Sequence, residues 1–308
     1  MKTAFLFPGQ GAQTVGMGAD VVAAFPAAAE LFERANQIVG FDLRKVCFEG
    51  PPDRLHSTTM SQPAIFVTSA ALLAVLQANT DLKPDVTAGL SMGEYTALYA
   101  AGAISFEDGL RLVKKRGEAM QSAADATRGG MVSILGLDED QVRQLCDEAR
   151  GGELLEPVNF NCPGQIVVSG AIGACERAER LAEKYGAIRA VPLEVAGAFH
   201  TAMMASAAQA LKQALLQAKI SLPPVVRTIA NITTDYYRSP AAIAEGLTRQ
   251  LTSAILWQKC MEHLIADGID EFYEIGPGRV LTGLMKRINR KAKVTNISDL
   301  SSLKAVIG

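Results

Sequence analysis

Five residues, Gly89-Leu90-Ser91-Met92-Gly93, set a serine between two glycines, with a possible short strand at 85 to 88 before them and a helix from near Glu94 after them. A strand-to-helix turn this sharp needs small flanking residues, because side chains there would clash, and it lifts the serine hydroxyl clear of the chain. The helix N-terminus behind it favours developing negative charge. The chemistry predicted is nucleophilic attack by Ser91, with a plain turn as the alternative for so short a pattern.

A serine nucleophile needs a base, and histidine has the suitable unperturbed pKa. The chain offers histidines at 56, 200 and 263. His263 falls mid-helix in a polar stretch and His56 in a loop-like segment beside Arg54 and Ser57, so both read as surface residues. His200 lies in AGAFHTAMM, a small-residue turn where a reaching loop belongs. Alone, such a histidine is more often a capping or packing residue; pairing with Ser91 is what selects it. FPGQGAQ at 7 to 13 competes as a dinucleotide loop, but it misses the third glycine and no acidic partner stands out downstream. Its backbone amides suit an oxyanion instead. Arg116, by itself, is one of three consecutive basic residues on a solvated helix face.

Positioning these residues takes alternating strands and helices. Ala4 to Phe7 is a buried strand stopped by Pro8 and glycines, and the carboxyl ends of such strands are where α/β sheets place ligands. The spacing predicts a core helix over 62 to 79 with Pro63 in its first turn, a helix from Glu94 to Ala101 stopped by Gly102, and a third from Phe106 to about Ala126. From 127 to 196 the rhythm becomes strand (131 to 137), helix (138 to 150), hairpin strands (157 to 161 and 165 to 170), helix (174 to 185, with a Glu176 to Arg180 pair) and strand (189 to 195). That β-α-β-β-α-β order is the ferredoxin-like split motif. The expected fold is α/β: a large α/β-hydrolase-like domain with a parallel sheet, made of 1 to 126 and 197 to 308, carrying a ferredoxin-like insert at 127 to 196. Beyond the insert come a helix at 202 to 218, a strand at 225 to 231, a helix at 257 to 266, a strand at 271 to 275, a helix at 280 to 288 and a strand at 294 to 298.

Composition narrows the function classes. The 308 residues carry 30 basic and 32 acidic side chains for a net charge of -2, without the positive field that nucleic acid binding requires. Five cysteines with no CxxC pair argue against disulfides or a zinc cluster and favour a reducing, cytoplasm-like compartment; no metal-site spacing appears. The apolar start stops at Pro8, short of a signal peptide, although a removed organelle transit peptide (stroma or matrix) stays open. The apolar region Ala64 to Ala78 is expected to be too short for a membrane span. Monomer is the expected state.

Six stretches in order along nearly the whole chain, FPGQGAQ, GLSMGEY, KKRGEAM, NFNCPGQ, GAFH and EIGPGRVLTGL, resemble the malonyl-CoA:acyl-carrier-protein transacylase family. The resemblance implies Ser91 as nucleophile and His200 as base, with the imidazole oriented by a backbone carbonyl near Gln250 in place of a third acidic residue. It implies an oxyanion hole from the amides of Gln10 and Met92, and a substrate site including Arg116, Gln250, Phe199 and Asn161. Arg116 would grip the malonyl carboxylate, since a guanidinium pairs with a carboxylate through two parallel hydrogen bonds. Phe199, in an AFH triplet, would favour malonyl over methylmalonyl groups. Partners implied are malonyl-CoA or CoA as substrate and acyl carrier protein, with no cofactor, nucleic acid or membrane. The run Lys286, Arg287, Arg290, Lys291 and Lys293 is a candidate docking patch for an acidic carrier, solvated surface charge being the default. One departure is Leu90, where many members of the family have histidine. The rival readings are a serine thioester hydrolase, an inactive carrier-binding module, and a transacylase serving a polyketide or malonate decarboxylase system.

Overall fold

The computed structural model describes residues 2–308. Its strands are β1 (Thr3–Phe7), β2 (Val86–Gly89), β3 (Gly129–Leu135), β4 (Leu155–Cys162), β5 (Gln165–Ala171), β6 (Arg189–Pro192), β7 (Arg227–Thr228), β8 (Glu271–Ile275) and β9 (Lys293–Ile297). Five form a parallel sheet in the order β7-β2-β1-β8-β9, and four an antiparallel sheet in the order β4-β5-β3-β6. The chain is thus α/β, with the antiparallel sheet built wholly from 129 to 192.

Every residue of β1 is buried because helices cover both faces of the parallel sheet. Phe5 and Phe7 point into one core and Ala4 and Leu6 into the other, the alternation a strand imposes. β1 and β2 run side by side until Phe7 meets Gly89, so the loops that follow them emerge together at the carboxyl edge. The helix Thr58–Asn79 fills the first core, with Ile65, Phe66, Leu72 and Leu76 fully or almost fully enclosed. Each such side chain contributes about 1.5–3 kcal/mol by leaving water.

That helix corrects two expectations. It begins four residues before 62, so Pro63 sits inside it and withdraws one backbone donor, a cost of about 3 kcal/mol in an isolated helix that burial on all sides must offset. At 22 residues it is also long and apolar enough to cross a bilayer; here it is mostly buried among the other elements.

In the antiparallel sheet, Val132, Ile134, Ile166 and Val168 pack beneath the helices Glu139–Ala149 and Ile172–Leu181. The opposite face, with Met131, Ser133 and Val167, lines the cleft described below. Edge strand β4 is tied to the rest of the chain through Ile255, whose amide donates to Val158 at 2.7 Å and whose carbonyl accepts from Phe160 at 2.9 Å.

Other boundaries shift for identifiable reasons. The strand expected at 225 to 231 shrinks to Arg227–Thr228, as Pro223-Pro224 offer no donors before it and Asn231 is diverted into the site described below. The strand expected to reach 195 stops at Pro192. The helix expected over 174 to 185 is Ile172–Leu181 followed by a 3-10 turn, capped by Gly186 at φ 90°, and the one expected over 202 to 218 opens as a 3-10 turn and runs Ala205–Leu215. Among the described residues Glu176 and Arg180 make no ion pair; Arg177 pairs with Glu153 instead. Helices at Ala19–Ala24, Pro26–Val39, Leu43–Glu49, Pro52–His56, Pro240–Gln250 and Leu300–Ile307 lay outside the sequence expectations.

Candidate active site

The turn after β2 is jammed against its neighbours. A Cβ on Gly89 would strike the Gly93 carbonyl, one on Gly93 the carbonyls of Phe7 and Pro8, and one on Gly9 the carbonyl of Leu90. The Leu90 amide donates to Phe7 at 3.0 Å and the Gly93 amide to Leu90 at 2.9 Å. Ser91 is held at φ 52°, a left-handed backbone that costs a non-glycine residue about 1–3 kcal/mol and persists only when its surroundings impose it. Asn231 braces the turn: its Oδ1 accepts from the Ser91 amide at 2.7 Å and its Nδ2 donates to the Gly89 carbonyl at 2.8 Å.

His200 is also left-handed, at φ 63°. It lies 4% exposed in the loop between the small sheet and the helix Ala205–Leu215, and Thr201 caps the following turn. Ser91 Oγ and His200 Nε2 stand 3.0 Å apart. On the other side of the ring, Nδ1 is 2.8 Å from the backbone carbonyl of Gln250. A carbonyl only accepts, so Nδ1 carries the proton and Nε2 keeps a lone pair that faces the serine hydroxyl. Burial, and then the positive charge of Arg116, push His200 down to about 3, partly opposed by the Gln250 carbonyl. The imidazole is therefore neutral at physiological pH and competent as a base.

Arg116 is not on a solvated face. It is 1% exposed on the helix Phe106–Asp125, donating from one terminal nitrogen to Gln62 Oε1 at 2.9 Å and from the other to Ser91 Oγ and Gln250 Oε1, both at 3.0 Å. Among the described residues no carboxylate lies within ion-pair distance, and its Nε has no partner. Burial lowers its pKa while Tyr95 and Glu94 oppose the shift. A buried guanidinium without a carboxylate is costly, and a carboxylate-bearing ligand would relieve that cost.

These groups open into a cleft of about 720 Å³ between the two sheets, lined by Gln10, Ser91, Arg116, Asn161, Phe199 and His200 among others. Asn161 Oδ1 is buried without a partner among the described residues. The amides of Gln10 and Met92 donate to no protein acceptor among the described residues, the condition an oxyanion hole needs. Gln250, expected among the substrate-binding residues, is buried behind Arg116 and does not line the cleft. Leu90 contributes its backbone to the turn, lines the cleft, and packs against the core that holds Ala4 and Leu6. His56, on a short helix rather than a loop, is exposed at the rim, and His263 is half-buried with Nδ1 donating to Thr234; neither hydrogen-bonds Ser91. In the basic run, Arg287 spends its guanidinium on the carbonyls of Pro163 and Gly164 and on Gln165.

Sequence reasoning missed Gln62, Glu94, Asn231 and Tyr237. Two carried a signal: Gln62 is a polar amide entering an apolar helix, and Asn231 ends the strand expected at 225 to 231.

Known proteins resemble this chain along its whole length. The family model described as acyl transferase domain matches residues 4–304. The chain is 43% identical over 307 residues to a malonyl CoA-acyl carrier protein transacylase of Bacillus subtilis (strain 168), covering 99% of this chain and 96% of the relative. It is 41% identical to one of Escherichia coli (strain K12), covering 99% and 98%. The solved malonyl CoA-acyl carrier protein transacylase of Coxiella burnetii superposes with a TM-score of 0.96 at 34% identity, covering 100% of this chain and 97% of that one. A malonyl-transacylase solved in complex with a type II PKS acyl-carrier protein also gives 0.96, at 38% identity and 100% and 99% coverage. With relatives this similar along its whole length, the chain belongs to the acyl transferase family and, within it, to the malonyl CoA-acyl carrier protein transacylases.

Proposed function

We propose that this chain moves a malonyl group from malonyl-CoA to the phosphopantetheine thiol of acyl carrier protein through an ester on Ser91, supplying fatty acid synthesis. The observation that carries the reading is the Arg116 guanidinium, buried without a carboxylate and 3.0 Å from the nucleophilic oxygen, where the free carboxylate of a malonyl group would pair with it.

In the first half-reaction Ser91 Oγ attacks the thioester carbonyl while His200 Nε2 takes its proton. The oxyanion is met by the amides of Gln10 and Met92. As the C–S bond breaks, His200 returns the proton to the CoA sulfur. In the second half the carrier's thiol attacks the ester, His200 takes the thiol proton and gives it back to Ser91 Oγ. Nucleophile and base are both side chains of this chain, so the reaction asks for no cofactor. Phe199 and Asn161 complete the acyl pocket, the ring crowding a branch at the α-carbon; rejecting one methyl is worth about 1–3 kcal/mol. All five cysteines are free and buried, which supports a reducing, cytoplasmic setting.

Mass spectrometry after mixing with malonyl-CoA tests the reading. A malonyl adduct on Ser91 that passes to carrier protein faster than it appears as free malonate is expected. An adduct that survives Ser91→Ala, or release only to water, overturns it, the latter in favour of a hydrolase.

A further inference from the structure

Behind the reacting groups lies one buried carboxylate with no place in the chemistry above. Glu94, in the first turn of the helix Gly93–Ala101, is 1% exposed and does not line the cleft. Its Oε2 accepts from Gln250 Nε2 at 2.7 Å and from the Asn231 amide at 3.3 Å, and its Oε1 accepts from the Tyr237 hydroxyl. These two residues, Gln250 and Asn231, are the ones that brace the site from either side. Asn231 holds the Ser91 turn. Gln250 gives its carbonyl to His200 and its Oε1 to Arg116, and its Nε2 also donates to the Ser91 carbonyl at 3.0 Å.

A side-chain amide has nearly the same shape in either orientation, so something must decide which end faces Arg116. Flipped, Gln250 would set its N–H groups against the guanidinium and its oxygen against both the Ser91 carbonyl and the Glu94 carboxylate. Donor would face donor, and acceptor would face two acceptors. We propose that Glu94 is a positioning residue for this active site: by accepting from Gln250 and Asn231 with one oxygen, it fixes the groups that aim His200, Arg116 and Ser91.

The role needs an acceptor oxygen, not a charge. Burial drives the Glu94 carboxyl up to about 7 against its hydrogen bonds from Tyr237, Gln250 and Asn231, with Arg116 also favouring the charged form; Tyr95 and Cys260 are the other titratable groups facing it. A protonated Glu94 would place its hydrogen towards the Tyr237 oxygen, the hydroxyl turning to accept, and leave Oε2 accepting as before. Glutamine reproduces that arrangement, whereas leucine removes it.

The test compares Glu94→Gln with Glu94→Leu, after thermal melts establish that both fold. The first readout is the rate at which a fluorophosphonate labels Ser91, with Oγ displacing fluoride and its proton leaving through His200. The second is the ratio of malonyl to acetyl loading from the CoA thioesters. Glu94→Leu is expected to slow labelling and lower the ratio by about tenfold or more each, the scale of one buried hydrogen bond lost, while Glu94→Gln stays within about threefold of the parent. Parent-like behaviour of Glu94→Leu, or equal damage by both substitutions, overturns the inference. If Glu94→Leu does not fold, Glu94→Asp takes its place: one methylene short of Gln250, it should behave as leucine does despite keeping the charge, and parent-like values for it overturn the inference equally. Only the loading ratio rests on malonyl transfer as the activity. A parent enzyme that labels but takes no malonyl group would sink that reading and leave the positioning role to be decided by labelling.

Discussion

Ser91 and His200 face each other at 3.0 Å with the same uncommon left-handed backbone, yet opposite kinds of structure hold them there. The serine is fixed mainly by its immediate chain: two glycines, a strand end and a helix start, pressed onto the backbone of the neighbouring strand. The histidine is fixed by distant partners. Its ring hangs on Gln250, and its loop leans through Gly197 on Ala124 and through Ala198 on Gly129. One half of the dyad is a local backbone motif and the other is a product of assembly, so damage should spread differently from each.

The largest effect should come from the histidine side. His200→Ala is expected to slow malonyl loading of Ser91 by about a hundred- to ten-thousand-fold, the usual range for a lost general base, in rapid-quench measurements with malonyl-CoA. Residual loading within tenfold of the parent would mean that another group serves as base.

Arg116 comes next. Arg116→Ala should cost malonyl transfer about 2–5 kcal/mol, as for a buried charge pair losing one partner, and spare acetyl transfer. Equal losses with both acyl groups in side-by-side kinetics would remove its role as carboxylate clamp.

The glycines test the contrast directly. Gly93→Ala drives a methyl into the backbone carbonyls of both Phe7 and Pro8, whereas Gly197→Ala brings one to 2.6 Å from the single methyl of Ala124. Overpacking of about 1–3 kcal/mol is expected for Gly93→Ala and less for Gly197→Ala, read from urea melts. The reverse order would show that the Ser91 turn is the softer half.

The smallest effect concerns pH. With His200 held near 3, loading should change by less than about twofold between pH 8 and pH 5, where a free imidazole would be mostly protonated. Because its folded pKa lies below its ordinary value, the stability tied to neutral His200 is present above about 6.5 and lost as pH falls towards 3. His200→Gln should flatten that acid limb in melts, and a loading profile that breaks near 6.5 would contradict the assigned burial.

The sequence alone determined the tight glycine-flanked turn at Ser91, the helices read at 94 to 101, 106 to about 126, 257 to 266 and 280 to 288 to within a residue at either end, and the β-α-β-β-α-β succession of the small sheet's elements. These depend on steric rules and periodicities that act within a few residues, so they are written in consecutive letters. Tertiary structure alone decided that Arg116 is buried while Lys114 and Lys115 beside it remain partly or fully exposed, that Pro63 lies inside a helix, and that β7 keeps only two residues. It also decided that Glu94 gathers Gln250, Asn231 and Tyr237 around one carboxylate, from positions 137 to 156 residues further along the chain. A hydrogen bond between such distant residues leaves no trace in local spacing; only the packing of elements against one another brings donor and acceptor within reach.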